Sequence, residues 1–404
     1  MTDPYFNTNI PPHIPPNLVH DFNIYDFEGR DPFVVIRGLH EAKLPEIFWT
    51  RHNGGHWVGL GAAAISAIVQ DAMKFSSARG LVPDSANFDD TPFVPLMMDP
   101  PQHTVYRNVV APMFRPNRIA AVKERIRQLT ESLVSEIKDR RECEFMSDVA
   151  YQMPVIMFLE LLELPVEDRA TLVDIAHKVI QPGDGDRANP ISLIFDYLRP
   201  TVCDRMRNPR SDVISEIART RIYDRPLELA EVLKLTTTIM LAGIDTTSTS
   251  LGYLIRHLAD TPMLRQRLID QPSLIPIAVD ESLRRFPPAN AGRQTTADFT
   301  FRNVEMKKGE YVMWASASHN LDDSVFPDPM KFDIDRKRST NLSFGTGPHF
   351  CIGSFLAKME MKIFLEEWLK SVPHFAVAPG FTIEYIVGMI FGYKQLKLVM
   401  GSPT

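Results

Sequence analysis

The chain has 404 residues, of which 44% are hydrophobic and 23% charged, a composition typical of a globular protein with a large core. Its formal net charge of −6 argues against a nucleic-acid partner, since such proteins carry a basic surface. Cys143, Cys203 and Cys351 lie too far apart in the sequence for a zinc or iron–sulfur motif or a disulfide framework. This cysteine usage favours a reducing cytoplasm.

The N-terminal segment, residues 1–20, is rich in proline and predicts an extended arm on the surface of a single domain that spans 21–404. The segment has neither the basic start nor the apolar centre of a secretory signal. No apolar run in the chain approaches the length of a membrane span. We therefore expect a cytoplasmic protein that does not contact a membrane, and we expect it to be a monomer.

Helical patterns dominate the chain after the arm. Segment 120–140 repeats apolar residues close to every 3.6 positions, which predicts an amphipathic helix. The longest candidate helix runs from Pro226, in its first turn, to Pro262, just past its end. Its middle is apolar on nearly every side, so we expect it to cross the body of the protein as a buried helix.

Strand signals are few and short. They fall at 56–60, 299–306 and 310–316, with a C-terminal pair around 374–379 and 395–400. The pattern predicts a mainly α protein with a small β part.

One cysteine stands in an unusual setting, the stretch "NLSFGTGPHFCIGSFLAKME". Gly345 and Gly347 allow a tight turn before Cys351, and a helical apolar pattern begins at Ile352. The free N–H groups at a helix start favour a thiolate, which is a good metal ligand. With a single local cysteine, the metal has to bring its other ligands, as the iron of a porphyrin does. The alternative is a buried structural cysteine.

A second polar group interrupts the middle of the long helix, in "LAGIDTTS". Ala242 and Gly243 are small enough to admit a flat cofactor or a diatomic ligand. Asp245 and Thr246 place a carboxyl and a hydroxyl side by side where the helix should be buried, and a buried carboxyl is costly unless it has a partner. Alternatively, the hydroxyls only bond back to helix carbonyls.

The segment "FGTGPHFCIG" resembles the haem-binding loop of the cytochrome P450 superfamily, which has the pattern Phe-Gly-x-Gly-x-His-x-Cys-x-Gly. The resemblance implies a single-domain fold, a triangular helical prism around haem b. It makes Cys351 the axial thiolate, which pushes electron density onto the iron. It also places Phe344, Gly345 and Gly353 beside the cofactor.

The segment "AGIDT" is similar to the oxygen-activating acid–alcohol motif of the same family. The resemblance implies that Thr246 hydrogen-bonds dioxygen and that Asp245 relays protons from solvent. It also places Ala242 and Gly243 against the cofactor.

The segment "DESLRRF" carries Glu281 and Arg284 one helical turn apart. Such a pair is often a weak surface ion pair. Here it is similar to the family's Glu-x-x-Arg motif, which implies a buried structural pair near the cysteine loop. Family members open a later segment with Asn-Arg-Asp-Pro, whereas this chain has Asn320 followed by Leu321, so the third partner of the pair stays open.

Haem carries two propionates, and each needs a donor. By resemblance those donors are His103, Arg107, Arg293 and His349, although each alone could be an ordinary surface charge. The chain has no Cys-x-x-Cys-His motif, so the haem should be held without covalent attachment through its vinyl groups.

Similarity over nearly the whole chain is closest in character to the bacterial camphor hydroxylase group. It implies hydroxylation of an unactivated C–H bond of a small apolar substrate by dioxygen, with electrons from a [2Fe–2S] ferredoxin and an NADH-dependent ferredoxin reductase. We predict that four cations steer an acidic ferredoxin to the face over the cysteine. These cations are Arg107, Arg115, Lys358 and Lys362.

The substrate pocket is assigned by position within that resemblance. A tyrosine that anchors the camphor ketone is replaced here by Thr91, which favours a bulkier terpenoid or norisoprenoid. The remaining candidates are mostly apolar, as pockets usually are, although ordinary core is the alternative for each one. They are Leu81, Phe93, Leu96, Thr238, Leu241, Ala242, Ala289, Met389 and Ile390.

Two other functions stay open. A haem-thiolate sensor without turnover would not need the Asp245–Thr246 pair. A peroxide-driven peroxygenase of this fold tends to carry Arg-Pro in place of the pair.

Overall fold

The computed structural model describes residues 3–90, 93–180, 188–337 and 339–401. Within these ranges the helices α1 to α13 span Pro32–Glu41, Ala62–Gln70, Gln102–Val110, Pro116–Ser135, Gln152–Leu161, Arg169–Ile180, Ala188–Arg207, Val213–Arg219, Leu229–Asp260, Pro262–Asp270, Ile275–Arg285, Ser316–Asn320 and Ser354–Ser371. The strands β1 to β14 span Ile47–Thr50, His56–Gly59, Phe75–Ser76, Glu142–Glu144, Arg221–Ile222, Arg225–Pro226, Asn290–Thr295, Phe299–Phe301, Val304–Met306, Tyr311–Ala315, Phe375–Val377, Tyr385–Ile386, Gly392–Tyr393 and Lys397–Met400. The predicted mainly α fold with a small β part is confirmed.

Helix α9 is the longest element, and 32 residues give it a length of about 48 Å. Its start differs from the prediction, because Pro226 lies in β6 and the helix begins at Leu229. The side chains of Glu228 and Glu231 each accept a hydrogen bond from the other's backbone N–H, and this capping box sets the boundary. Neither α9 nor any other helix of the described ranges is long and apolar enough to cross a membrane.

Several polar side chains are buried along α9 without a partner from another element. The hydroxyls of Thr236, Ser248 and Ser250 each donate to the backbone carbonyl oxygen one turn earlier, at 2.6–2.8 Å. A hydroxyl that bonds within its own helix can be buried at little cost. The alternative interpretation of these hydroxyls is therefore correct for this part of the helix.

The main sheet has five strands in the order β1-β2-β10-β7-β3, and β10 runs parallel to β2. A second sheet joins β11, β14 and β4, which confirms the predicted C-terminal pair. The single strand predicted over 299–306 is instead the hairpin of β8 and β9. Arg302 and Asn303 have positive φ angles and form its turn, which the alternating apolar pattern did not reveal.

The N-terminal arm packs against the main sheet. Ile14 is buried in the cluster that contains Trp49 and Trp57. His13 contacts Glu310 at 2.8 Å, and Val19 bridges to Trp49. These contacts fit the predicted surface arm, while its boundary at residue 20 stays a prediction.

Helix α13 buries a carboxyl group in the core. Glu360 is only 1% exposed, and its Oε1 has no hydrogen-bond partner. Burial raises the pKa of Glu360 from 4.5 to about 8. Because the folded-state pKa is raised, the group supports folding fully below pH 4.5, and that contribution is lost as the pH rises through 8.

We expect Glu360→Gln to match the wild type in stability near pH 5 and to exceed it at pH 8.5. The amide copies the neutral carboxyl and never has to bury a charge, so the gain should be on the order of 3 kcal/mol. Thermal unfolding of the holoprotein across this pH range measures it. Glu124→Gln, at an exposed site on α4, controls for the loss of a carboxylate. A stability difference that does not vary with pH would contradict the prediction.

Candidate active site

The cysteine loop is a turn between α12 and α13. Gly345 and Gly347 have φ angles of +67° and +69°, a region that side chains with a Cβ rarely adopt. The backbone N–H of Cys351 donates to the carbonyl oxygen of Phe344 at 2.8 Å and closes the loop. Helix α13 begins at Ser354, so Cys351 lies just before the first turn, close to the predicted position.

Three donors or cations face the sulfur of Cys351. The backbone N–H groups of Gly353 and Ser354 hydrogen-bond to it, and the charge of Arg107 acts on it. All three lower the pKa of the Cys351 thiol, but burial raises it by more, so the net shift is upward. The donors at the helix start therefore favour the thiolate, as the sequence predicts, but burial outweighs them. The sulfur would give up its proton on binding a metal ion, which such a donor set supports.

His103 and His349 form a buried imidazole pair, with ring centroids 4.1 Å apart. Both ring nitrogens of His103 are buried without a partner, while His349 Nε2 contacts Ser77 Oγ at 3.0 Å. Burial and the nearby arginines lower the pKa of His349 to about 3. The two rings are therefore neutral at physiological pH, and His103 has an N–H donor to offer to a ligand.

Arg293 and Arg107 add positive charge beside this pair. Burial lowers the pKa of Arg293 to about 10, and its guanidinium lies over the Trp314 ring. Arg107 donates to the carbonyl oxygen of Phe350. Among the described residues, no carboxylate lies within ion-pair distance of either arginine. Two half-buried cations and the unpartnered His103 imidazole fit an anionic group with two carboxylates, such as haem with its propionates.

The acid–alcohol pair points in two directions from α9. Ala242 is exposed and Thr246 half-buried, although both lie in the middle of a buried helix, so this face borders open space. The Thr246 hydroxyl donates to the carbonyl oxygen of Ala242 at 2.9 Å. Thr246 is therefore placed to meet a ligand in that space.

Asp245 lies on the buried face, at 4% exposure, and its Oδ1 has no hydrogen-bond partner. Burial raises the pKa of Asp245 well above its ordinary value. The carboxyl therefore keeps a proton at pH values where an exposed aspartate has lost it. An unpaired buried acid of this kind is a common mark of a functional group.

Close packing against another helix requires a glycine at position 243, which the sequence did not indicate. A Cβ at this position would lie 2.3 Å from the ring of Phe158 on α5. The glycine therefore allows α5 and α9 to touch. Its predicted contact with the cofactor stays a prediction.

Glu281 and Arg284 form the buried pair that the sequence predicted. Arg284 donates to both carboxylate oxygens of Glu281, at 2.7 and 2.9 Å. Arg336 approaches the same carboxylate at 3.5 Å. Arg336 is therefore the third partner that the missing arginine at Leu321 had left open, and it comes from the far end of the same segment.

Asn320 links this pair to the cysteine loop. Its amide donates to the carbonyl oxygen of Arg284 and to Ser343 Oγ, and its Oδ1 accepts from the backbone N–H of Leu342. Sequence reasoning noted Asn320 but not this role. A buried asparagine between two loops was the available signal, since such amides are almost always fully hydrogen-bonded.

The structure brings some of the predicted pocket residues together. Ala289 and Ile390 face each other across an isolated β-bridge, and Asn290 donates to the carbonyl oxygen of Met389. Leu96 is 52% exposed, which is unusual for a leucine. Thr238 and Leu241 lie on α9, about two turns and one turn before the acid–alcohol pair.

Two further pocket predictions lie in the segment before α3. The backbone N–H and carbonyl of Leu81 are both bonded by the Asn87 side chain. The ring of Phe93 packs edge-on against Phe88, with centroids 5.8 Å apart. The prediction for Thr91 lies outside the described residues.

Comparisons with known proteins agree with this geometry. A family model described as cytochrome P450 matches residues 191–378. Probable cytochrome P450 127A1 of Sinorhizobium fredii is 29% identical over 96% of this chain and 96% of its own. Cytochrome P450-terp of a Pseudomonas species is 33% identical over 67% of this chain and 68% of its own. The crystal structure of CYP101J2 superposes with a TM-score of 0.91 and 31% identity, covering 98% of this chain and 100% of that chain.

The chain belongs to the cytochrome P450 family, because it matches a relative of more than 30% identity over two thirds of that relative's length. It is a haem-thiolate oxidoreductase of the monooxygenase class, and the predicted cofactor is confirmed at the level of the family. Its bacterial relatives and its fold neighbour CYP101J2 also confirm the resemblance to the camphor-type group.

We predict that Cys351 is the axial ligand. The reduced carbonyl complex should show the strongly red-shifted Soret band of a trans thiolate, and Cys351→His should abolish this band while haem is still bound. Absorption spectroscopy of the purified holoprotein is the measurement. A wild-type carbonyl spectrum like that of a histidine-ligated globin would refute the assignment.

Proposed function

We propose that the protein hydroxylates an unactivated C–H bond of a small apolar molecule, of the terpenoid or norisoprenoid kind. It uses dioxygen and two electrons from a [2Fe–2S] ferredoxin that an NADH-dependent reductase reduces. The observation that carries the proposal is the buried Asp245 carboxyl, whose Oδ1 has no hydrogen-bond partner, beside Thr246 on a helix face that borders open space.

The haem is held by Cys351 at the iron and by His103, Arg107, Arg293 and His349 at the propionates. Phe344, Gly345 and Gly353 supply the close surface of the loop. When bound, the haem iron supplies dioxygen activation, assisted by electron donation from the thiolate sulfur. The N–H groups of Gly353 and Ser354 moderate that donation, because they share the sulfur's lone pairs.

Thr246 orients the oxygen ligand. Its hydroxyl hydrogen is committed to the carbonyl oxygen of Ala242, so the hydroxyl oxygen is free to accept a hydrogen bond from a ligand that carries a proton. A hydrogen bond accepted by the Thr246 hydroxyl oxygen would orient such a ligand for a further proton.

Asp245 supplies that proton. Because burial raises the pKa of its carboxyl well above the ordinary value, the group keeps its proton to higher pH than an exposed aspartate and can act as an acid. Rotation of its side chain from the buried face towards Thr246 would bring the proton to the pocket. Solvent then reprotonates the Asp245 carboxyl from its buried face, on the side away from the pocket.

The two residues should therefore fail in different ways. Thr246→Ala should keep consuming NADH while hydrogen peroxide replaces much of the hydroxylated product. Asp245→Asn should keep its product yield per NADH but slow turnover roughly 10²-fold, the range expected for loss of a positioned acid. NADH, product and peroxide assays separate the two effects. Full product yield per NADH in Thr246→Ala would contradict the role of its hydroxyl.

The substrate class follows from the pocket's apolar lining. Replacing a tyrosine with Thr91 removes one hydrogen bond, worth about 1 kcal/mol net. The space gained holds additional carbons, and each buried CH₂ contributes roughly 0.8 kcal/mol. Burial should therefore outweigh the lost anchor for a ligand larger than camphor.

Titration of the ferric holoprotein tests the substrate class. We expect ionones to give tighter binding and a fuller low- to high-spin shift than camphor, while linear fatty acids and polycyclic aromatics give little. Stronger binding of camphor than of ionones would reject the volume argument. A full shift with fatty acids or aromatics alone would reject the terpenoid class.

The electron donor would dock beside the cysteine loop. Phe355, Lys358 and Lys362 share one face of α13, and Phe350 precedes the cysteine. Both phenylalanines are exposed, at 46% for Phe350 and 57% for Phe355, so they offer an apolar centre with basic residues around it. Arg107, expected on this patch, instead donates into the loop.

Reduction by a [2Fe–2S] ferredoxin should slow as ionic strength rises, and Lys362→Glu should slow it further, because steering depends on unscreened charge. Stopped-flow reduction under carbon monoxide measures the rate. Arg219→Glu, the same charge change on α8, is the control. A rate indifferent to salt and to Lys362→Glu would remove the steering argument.

A further inference from the structure

The segment between β3 and α3 is held in shape by its own polar side chains. Arg79 contacts Asp84 at 3.1 Å and Asp89 at 3.8 Å. The Asn87 amide bonds both backbone groups of Leu81. Residues 79–90, called the acidic loop below, are thus internally braced.

One side of the acidic loop is fixed to the main sheet. The hydroxyl of Tyr311, on β10, donates to Asp84 Oδ1. The loop also closely approaches β7, because a Cβ on Gly80 would lie 2.5 Å from the carbonyl oxygen of Gly292. These contacts anchor residues 79–87 of the loop.

The other end of the loop is tied to α9 through Lys234. The ammonium group of Lys234 donates to Asp90 Oδ1. The Lys234 side chain is 16% exposed, whereas that of Asp90 is 86% exposed. The carbonyl oxygen of Lys234 also accepts from the Thr238 hydroxyl at 2.9 Å, so the lysine begins the α9 turn that carries a predicted pocket residue.

Asp90 lies between two aromatic residues that contact each other. Phe88 and Phe93 flank it in sequence, and their rings pack edge-on. A contact that fixes Asp90 therefore also restrains this aromatic pair, which includes the predicted pocket residue Phe93.

We propose that Lys234 is a positioning residue for the substrate pocket. Resting on the pocket assigned under the proposed function, the Lys234–Asp90 pair holds the end of the acidic loop, next to Phe88, on the α9 turn that leads to Thr238. The pair separates each time a substrate enters or leaves.

The strength of the pair suits such a reversible contact. Ion pairs with one exposed partner are weak and are screened by salt. Loss of the pair should raise the open population of the acidic loop roughly two- to fivefold, without unfolding it. The internal contacts of Arg79 and Asn87 remain and keep the loop folded.

Hydrogen exchange of the ligand-free holoenzyme tests the contact without activity. Lys234→Met should speed amide exchange over residues 79–90 roughly two- to fivefold at low salt, and less at high salt. Asp90→Asn should do the same, and the double variant no more than either. Lys234→Asp combined with Asp90→Lys should restore slow exchange. Lys307→Met, at a surface lysine paired with Asp298, is the matched control and should leave the loop unchanged.

Unchanged exchange in Lys234→Met, additive effects in the double variant, or no rescue by the charge swap would each overturn the proposal.

Stopped-flow binding of camphor and β-ionone to the ferric holoenzyme tests the role in substrate exchange. Lys234→Met should raise the association and dissociation rates by the same factor and leave Kd unchanged, since only the open population changes. A change in Kd with unchanged rates would indicate a damaged pocket and reject the proposal. If neither ligand perturbs the wild-type spectrum, the proposed substrate class fails, and the exchange measurements alone decide the role of Lys234.

Discussion

The cysteine loop depends on the hydrogen bonds that the buried guanidinium of Arg284 makes. Arg284 binds the Glu281 carboxylate with two hydrogen bonds and also donates to the carbonyl oxygens of Pro329 and Lys331. Its own carbonyl oxygen accepts from Asn320, which in turn binds the backbone just before the loop. Removing one partner of such a buried pair costs about 3–5 kcal/mol, because the other charge is left unpaired. The position of the sulfur is therefore set by a charge pair some distance from it.

Helix α9 is under a different constraint, because it is buried and yet has many hydroxyl and carboxyl side chains that need hydrogen-bond partners. Most of its hydroxyls meet the constraint by bonding to carbonyl oxygens of the same helix. Asp245 does not do so, since its Oδ1 has no hydrogen-bond partner, and burial raises the pKa of its carboxyl. A buried acid without a partner destabilises the fold, which is a common feature of residues retained for function.

Close backbone contacts set the distances between these parts. Gly243 allows α5 to touch α9, and Gly80 allows the acidic loop to touch β7 at Gly292. The second contact brings the acidic loop beside the strand that carries Arg293, so a proposed wall of the pocket and a proposed propionate donor share one support.

Much of the site was predictable from the sequence because its motifs are local. The glycines around Cys351, the Asp245–Thr246 pair and the Glu281–Arg284 turn each lie within one loop or helix, where spacing alone fixes which side chains meet. The mainly α character and the long central helix followed from periodicity in the same way.

Contacts between distant segments were decided only by the tertiary structure. Arg336 as the third partner of Glu281, Phe158 against Gly243, and Lys234 with Asp90 join residues that no periodic pattern relates. The net pKa of Cys351 belongs to this class as well, because burial by remote segments outweighs the donors that the local helix start supplies. The sequence determined which groups are available, and the packing of distant segments decided which of them are buried, charged or paired, since desolvation depends on every element that covers a group.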